Sequence, residues 1–179
     1  MGDIRKRLRH TAYHEAGHAV ASFFLGCGNK YLTIVPDKEQ GSIGHHVGVP
    51  TGKWFQPDVY SDGKHRNKVE ARVMVLYAGA IAESLAQGRK PRLRSGSRSD
   101  SAAAADLASY VVGSGEEWGA YLDWLFIRAT GFLRSPFRWR AVEVVAEALL
   151  AKRTLKGREV RELIRGSLPA LPLVQANAV

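Results

Sequence analysis

The 179-residue sequence contains one cysteine, Cys27, and lacks any long hydrophobic run. A single cysteine excludes an internal disulfide and any zinc site built from several thiolates. A membrane-spanning helix needs about 20 consecutive apolar residues, and the longest apolar run, at 19–25, is interrupted by Ser22. The basic N-terminus is not followed by the apolar region and cleavage site of a signal peptide. We therefore predict a cytoplasmic protein without a transmembrane segment.

Acidic residues are also comparatively scarce. Lys and Arg number 26 against 17 Asp and Glu, which gives a formal net charge of +9. Much of the excess lies in three clusters, at 5–9, 89–98 and 134–140. A basic surface can bind acidic partners, nucleic acid or anionic lipid. Because the clusters are separated in sequence and carry no recognised nucleic-acid motif, we favour solvated basic faces, and nucleic acid is a possible but not favoured partner.

The segment 11–25 contains the pattern His14-Glu15-x-x-His18. Positions i and i+4 of a helix share one face, so two imidazoles there can reach one metal ion at about 2.0–2.1 Å each. Glu15 lies about 100° further around the helix, close enough to contact a water molecule at the metal without ligating the metal. The spacing therefore predicts a catalytic zinc site with Glu15 as general base.

The residues around this motif favour a helix. Apolar side chains recur with helical spacing at Ala12, Ala16, Ala19, Val20, Phe23 and Phe24. Thr11 is a suitable N-cap, and Gly26 and Gly28 are suitable helix terminators. Residues 1–10 then form a basic arm. A chance match, with two core histidines and a surface glutamate, is the alternative that this helical context disfavours.

The remaining sequence predicts a mainly α-helical domain with a small β element near the motif. Short strands are predicted at 31–35 and 42–49, followed by a loop at 50–64. Helices are predicted at 66–87, 99–112, 117–133, 138–152 and 157–165. The small residues Ala78, Gly79, Ala80 and Ala82 indicate that another backbone packs closely against the first of these. Without a repeat or clear linker, we expect one domain at 11–166 and a tail at 167–179.

The motif supplies two of the three protein ligands that catalytic zinc usually takes. The metzincin arrangement, with a third histidine shortly after the motif, is absent, since the next histidine is His45. The candidates for the third ligand are Glu70, Glu83, Asp100, Asp106, His45, His46 and His65. Each also has an ordinary structural explanation, so the residues alone leave the choice open.

Several segments, taken in order, resemble one known family. They are residues 11–20, 33–44, Ala78-Gly-Ala-Ile-Ala-Glu-Ser84, Ser95-Gly-Ser-Arg-Ser-Asp100 and 155–159. The third is similar to a Gly-Gly-Arg-Ala-Ala-Glu-Glu helix, and the fourth to a Thr-Gly-Ala-x-Asn-Asp segment. Together they resemble the peptidase domain of the FtsH-type AAA+ zinc proteases, over roughly residues 8–165.

The resemblance implies a zincin-like metalloprotease domain of the FtsH peptidase type that binds Zn²⁺. It implies that Asp100 completes the zinc site begun by His14 and His18. It also implies that Glu83 is a nearby acid, which could hold the outer ring nitrogen of a histidine ligand. A helix acid packed against a basic loop is the alternative for Glu83.

The sequence also departs from that family. It has no Walker A motif and no N-terminal membrane helices, and Ala80 and Ser84 replace the family's Arg and second Glu. We therefore expect a stand-alone, ATP-independent zinc endopeptidase that hydrolyses peptide bonds in unfolded proteins, peptides or a dedicated partner. The alternative is a catalytically inactive protease-like scaffold that binds a protein or nucleic acid through its basic surface, although the retained Glu15 argues against it. The oligomeric state stays open.

Overall fold

The computed structural model describes residues 2–36, 44–93 and 98–169, which form six helices and one small sheet. The helices are α1 (Gly2–Phe24), α2 (Gly63–Ala86), α3 (Arg98–Ser109), α4 (Gly115–Leu133), α5 (Pro136–Lys152) and α6 (Gly157–Ser167). The strands are β1 (Asn29–Thr33), β2 (His45–Gly48) and β3 (Thr154–Lys156). No helix in these three ranges is both long and apolar enough to cross a membrane.

The motif helix is longer than the sequence predicted. Helix α1 begins at Gly2 instead of Thr11, so residues 2–10 of the predicted arm are helical and the predicted N-cap at Thr11 is wrong. The Thr11 hydroxyl donates to the carbonyl of Arg7 one turn earlier, at 3.1 Å. Leu8 packs against the core and anchors the additional turns. At the other end, Gly26 and Gly28 have positive φ angles of 66° and 74°, which confirms the predicted termination.

Helices α1 and α2 pack closely against each other, with their chain directions opposed. A Cβ atom added at Gly17 would overlap the carbonyl of Ala78 and lie 2.6 Å from the Cβ of Ala82. Only a glycine on α1 and small residues on α2 permit this approach. The prediction that another backbone packs against the small residues of α2 is therefore confirmed. Around the contact, the fully buried side chains include Val20, Val69, Val73 and Ile81.

The sheet is antiparallel, with strand order β2-β1-β3. Leu32 on β1 is fully buried and lies opposite His46 on one neighbour and Leu155 on the other. Both predicted strands are present with shifted ends, and residues 42–43 of the second lie outside the described residues. Strand β3 was not predicted, because three residues give too short a pattern to recognise. Strand β3 is followed directly by Gly157. Gly157 lies so close to the Asn29 carbonyl that a Cβ atom at position 157 would overlap this carbonyl.

The other predicted helices are all present, with ends shifted by a few residues. Asp62 caps α2 by accepting hydrogen bonds from the amides of Lys64 and His65 at 2.8 and 3.0 Å. Gly88, with φ of 66°, follows the end of α2, which lies one residue before the predicted end at 87. The bounds of the domain at 11–166 and the tail at 167–179 stay predictions.

Glu70 joins α2 to α4. Its carboxylate accepts a hydrogen bond from the Tyr121 hydroxyl at 2.8 Å and pairs with the Arg128 guanidinium at 2.7 Å. Replacing Glu70 by Ala should lower the free energy of unfolding by about 1–2 kcal/mol, because a partly buried hydroxyl loses its acceptor. The ion pair adds little, since Arg128 is 44% exposed. Urea denaturation measures the change.

The control for this change is Glu147→Ala, at an exposed acid on α5. Its unfolding free energy should match that of the unmodified protein within about 0.5 kcal/mol. Because Glu70 was also a candidate metal ligand, bound zinc should be measured in both variants. A loss of zinc in Glu70→Ala alone would contradict the purely structural role that these contacts indicate.

Candidate metal centre

Three side chains from two helices converge on one point. His14 and His18 lie one turn apart on α1, and Asp100 lies in the first turn of α3. The two Nε2 atoms are 3.0 Å apart, and Asp100 Oδ2 is 3.4 Å from that of His14 and 3.5 Å from that of His18. Ligand atoms about 2.0–2.1 Å from a tetrahedral zinc ion are separated by about 3.3 Å. The donor set therefore fits zinc in both chemistry and spacing.

The outer nitrogen of each imidazole has its own acceptor. His18 Nδ1 donates to the Val75 carbonyl at 2.8 Å, which leaves the lone pair of Nε2 directed at the cluster. His14 Nδ1 lies 3.4 Å from Glu83 Oε2, and Glu83 also accepts a hydrogen bond from Gln87 at 3.1 Å. Such contacts fix the tautomer and ring orientation of metal-binding histidines.

The electrostatics of the cluster favour a positive charge at its centre. Burial alone lowers the pKa of His14, but the carboxylates of Asp100 and Glu83 outweigh it and raise that pKa to about 10. Burial raises the pKa of Asp100, yet its hydrogen bonds to His14 and His18 bring it far below its usual value. The two carboxylates thus favour positive charge at the place that a bound cation would fill.

Glu15 lies beside the cluster and is almost completely buried, with 5% of its surface exposed. Burial raises the pKa of its carboxyl group, against the opposing charges of His18 and His14. The residue before β2 is Gly44, where an added Cβ would come within 2.9 Å of Glu15 Oε1. A residue with a side chain at position 44 would displace the Glu15 carboxylate. Glycine at this position therefore leaves the space that the carboxylate occupies.

Comparison with known proteins assigns the chain to a family. Residues 4–120 match the family model described as peptidase family M41. The chain belongs to this family. The match confirms the predicted resemblance to FtsH-type peptidases, and the mainly helical structure with its three-stranded sheet agrees with the predicted fold class.

Similar M41 proteins are named ATP-dependent zinc metalloprotease FtsH. Those of Haemophilus influenzae and Buchnera aphidicola are 29% identical over 116 residues and 30% identical over 125 residues. That of Caulobacter vibrioides is 33% identical over 121 residues. The matches cover 64–66% of this chain but only 16–17% of the length of these relatives.

Most other candidates for the third ligand lie in separate networks. Glu70 contacts Tyr121 and Arg128, as described above. His65 lies between the Asp62 carboxylate at 2.7 Å and the Trp54 carbonyl at 2.8 Å. Asp106 is exposed on the outer side of α3. Among the described residues, His14, His18 and Asp100 form the only group of three or more close donors.

His46 has a contact that the sequence did not predict. Its ring stacks on that of His18 with centroids 5.8 Å apart and an interplanar angle of 18°. Its Nε2 donates to Asn29 Oδ1 at 2.7 Å, and the Asn29 amide donates to the Ala19 carbonyl at 3.0 Å. In this M41 chain, His46 on β2 therefore holds the His18 ring in position from the side of the sheet. No local pattern signals this contact, because strand pairing alone brings His46 there.

Gly79 on α2 leaves room for both imidazoles. A Cβ at this position would overlap His18 Nε2 and lie 2.8 Å from His14 Nε2. Replacing Gly79 by Ala should therefore push both donor atoms out of position and weaken zinc binding by about 10–100-fold. Competition with a chromophoric chelator measures the affinity, and circular dichroism shows that the helices remain.

Gly131→Ala is a matched control, since a Cβ at this helical position on α4 meets nothing within 4 Å. It should leave zinc affinity unchanged and should stabilise the protein by roughly 0.5–1 kcal/mol. Unchanged zinc affinity in Gly79→Ala would show that the histidine positions above are not those of the metal-bound protein.

Proposed function

We propose that this chain is a zinc-dependent endopeptidase that hydrolyses peptide bonds in unfolded polypeptides without ATP. The observation that carries the proposal is the convergence of His14, His18 and Asp100, with Glu15 buried beside them. Family membership supports the reaction class, and the FtsH relatives are named as zinc metalloproteases. A scaffold that only binds a partner has no need of a buried glutamate next to a metal-binding cluster.

Each side chain has a proposed role. His14, His18 and Asp100 hold the ion through Nε2, Nε2 and a carboxylate oxygen. When bound, zinc supplies a Lewis acid that polarises the scissile carbonyl and makes water a better nucleophile at neutral pH. Glu15 takes the proton from the attacking water molecule and returns it to the nitrogen of the leaving amine.

Glu83 and the Val75 carbonyl complete the proposed site on the side of the imidazoles that faces away from the ion. They accept from the outer nitrogens of His14 and His18, so that both rings present Nε2 to the ion. This role of Glu83 is the one that the sequence resemblance implied. Among the described residues, β2 lies at the edge of the sheet and begins next to Gly44. An extended substrate could therefore pair with β2 through backbone hydrogen bonds.

The proposed substrate is unfolded because peptide hydrolysis needs an extended segment at the metal. The 179 residues contain no Walker A motif, and hydrolysis of an accessible peptide bond needs no nucleotide. A folded protein would first have to be unfolded by another factor. A cytoplasmic location remains a prediction that rests on the single cysteine.

Casein, an unfolded protein, tests the proposal directly. The purified zinc-loaded chain should cleave casein in the absence of ATP. Treatment with 1,10-phenanthroline should abolish cleavage, and added zinc should restore it, because the metal is held by only three protein ligands and one position stays open. Peptide products are measured by mass spectrometry.

The control is the same treatment with the non-chelating 1,7-phenanthroline, which should leave cleavage unchanged. Bound zinc, measured by atomic emission, should be about one ion per chain. A zinc-loaded protein that leaves casein intact would contradict the proposed activity and favour the inactive scaffold.

A further inference from the structure

Two basic clusters that are far apart in sequence meet at one end of the molecule. The first lies in the opening turns of α1 and includes Arg5, Lys6, Arg7 and Arg9. The second follows α2 and includes Arg89, Lys90 and Arg92. All seven side chains are exposed. We call this set of seven residues the basic end.

The opposed packing of α1 and α2 brings the clusters together. Gly17 on α1 touches Ala78 and Ala82 on α2. One to two turns earlier on α1, His10 lies 4.0 Å from Glu83. Continuing in the same sense, the first turns of α1 run alongside the C-terminal end of α2. These two clusters, which are separated in sequence, therefore lie near each other in the folded chain and not on separate solvated faces.

The basic end lies next to the metal centre. His10 and His14 both face Glu83, at 4.0 and 3.4 Å. The face of α1 that carries His14 therefore also carries His10 and continues into the basic end. Lys6 is two turns before His14, about 12 Å along the helix axis. A polypeptide of four extended residues spans that distance. A substrate segment near the metal can therefore reach these cations.

The composition of the basic end favours an acidic polypeptide over other anionic partners. Residues 4–10 and 84–93 contain no acidic residue and no Phe, Tyr or Trp. The Tyr13 ring, over which Arg9 lies, is buried and therefore not available for stacking. Single-stranded nucleic acid is usually bound with aromatic stacking as well as charge. A membrane-surface helix needs an apolar face, whereas Leu8 packs into the core and Ile4 is the one exposed large hydrophobic residue of this segment.

We propose that the basic end binds acidic segments of the substrate and so selects acidic unfolded polypeptides for the metal centre. This inference rests on the proposed peptidase function. Binding here raises the local concentration of an acidic chain next to the site, because opposite charges attract over about 10 Å at moderate salt. The interaction should weaken as salt is added.

Binding of a fluorescein-labelled oligoglutamate to the zinc-loaded Glu15→Gln protein tests this without turnover. Fluorescence anisotropy gives the Kd. Two charge-reversal variants are made in that background, Lys6→Glu with Arg7→Glu, and Arg89→Glu with Lys90→Glu. Each pair should weaken binding by about tenfold, since several exposed charge contacts are lost or reversed. Both pairs should respond alike if the two clusters form one surface.

The control is Lys30→Glu with Arg161→Glu, which changes the net charge equally. Both positions are exposed and lie near the Asn29–Gly157 contact, and Asn29 contacts Ala19 in the C-terminal half of α1, away from the basic end. This pair should change the Kd by less than about twofold. Equal losses in control and test variants would overturn the inference, because they would reflect net charge alone. Unchanged binding in both test variants would overturn it as well.

Two other probes identify the class of partner. Labelled poly(U) and vesicles of phosphatidylcholine with phosphatidylserine should bind more weakly than oligoglutamate at equal salt. Tighter binding of either would overturn the assignment to acidic polypeptides. Casein cleavage separates this inference from the proposed function. If the unmodified protein cleaves casein but oligoglutamate does not bind, the proposed role of the basic end is wrong and the peptidase function stands. If oligoglutamate binds but casein is not cleaved, the proposed peptidase function is wrong.

Discussion

Replacing Glu15 by Gln should reduce the rate of casein cleavage by about 10²–10⁴-fold while the protein keeps its zinc. The amide has nearly the same shape as the carboxylate and still fits beside Gly44, where the lack of a side chain leaves room for it. It cannot accept a proton from water, so the hydrolytic step loses its base. Initial rates of peptide release, together with zinc content, measure the two parts of the prediction.

The useful control for this variant is Glu147→Ala, at an acid that is exposed on α5. It should cleave casein at the unmodified rate. If Glu15→Gln retained full activity with zinc bound, another group would have to be the base, and the proposed mechanism would be wrong. Loss of zinc together with activity would instead assign Glu15 to the support of the metal centre.

Asp100→Ala should lower zinc affinity by more than about 100-fold. Loss of a residue that only hydrogen-bonds to a metal ligand already lowers metal affinity by about 10–100-fold, and Asp100 is proposed as a ligand itself. The two Nε2 atoms of His14 and His18 would remain as the only close donors from the motif. Cleavage should disappear at zinc concentrations that saturate the unmodified protein. Isothermal titration of the metal-free variant measures the affinity.

Asp106→Ala is the matched control, because Asp106 lies on the same helix α3 but is exposed. Its zinc affinity and its activity should both remain unchanged. Should Asp100→Ala bind zinc as tightly as the unmodified protein, the third ligand would lie elsewhere. Glu83 would be the next candidate, since it already contacts His14.

The parts of the site that depend on local spacing could be predicted from the sequence. A separation of four residues places His14 and His18 on one face of any helix, whatever surrounds it. Helix termination at Gly26 and Gly28 could also be predicted, since positive φ angles favour glycine. The six helices were foreseen for a similar reason, because apolar periodicity is a property of the segment itself.

The start of α1 and the strand β3 were missed for a physical reason. Residues 2–10 contain few apolar side chains and so lack a periodic signal, yet the helix continues because nothing interrupts it and Leu8 reaches the core. Strand β3 has only three residues, and its pairing with β1 supplies the stability that its own pattern does not. In both places, tertiary contacts decide what the local sequence leaves open.

The sequence by itself determined the motif helix, its two imidazoles and the glutamate between them, because these relations lie within about one turn. The tertiary structure brought Asp100 to within 3.4–3.5 Å of both imidazoles and His46 onto His18. His46 reaches His18 because β2 pairs with β1. Asp100 reaches α1 because α3 packs against α2, which lies close to α1 where Gly17 and Gly79 permit it. The same packing joins the two basic clusters beside the metal centre, a proximity that no spacing along the chain encodes.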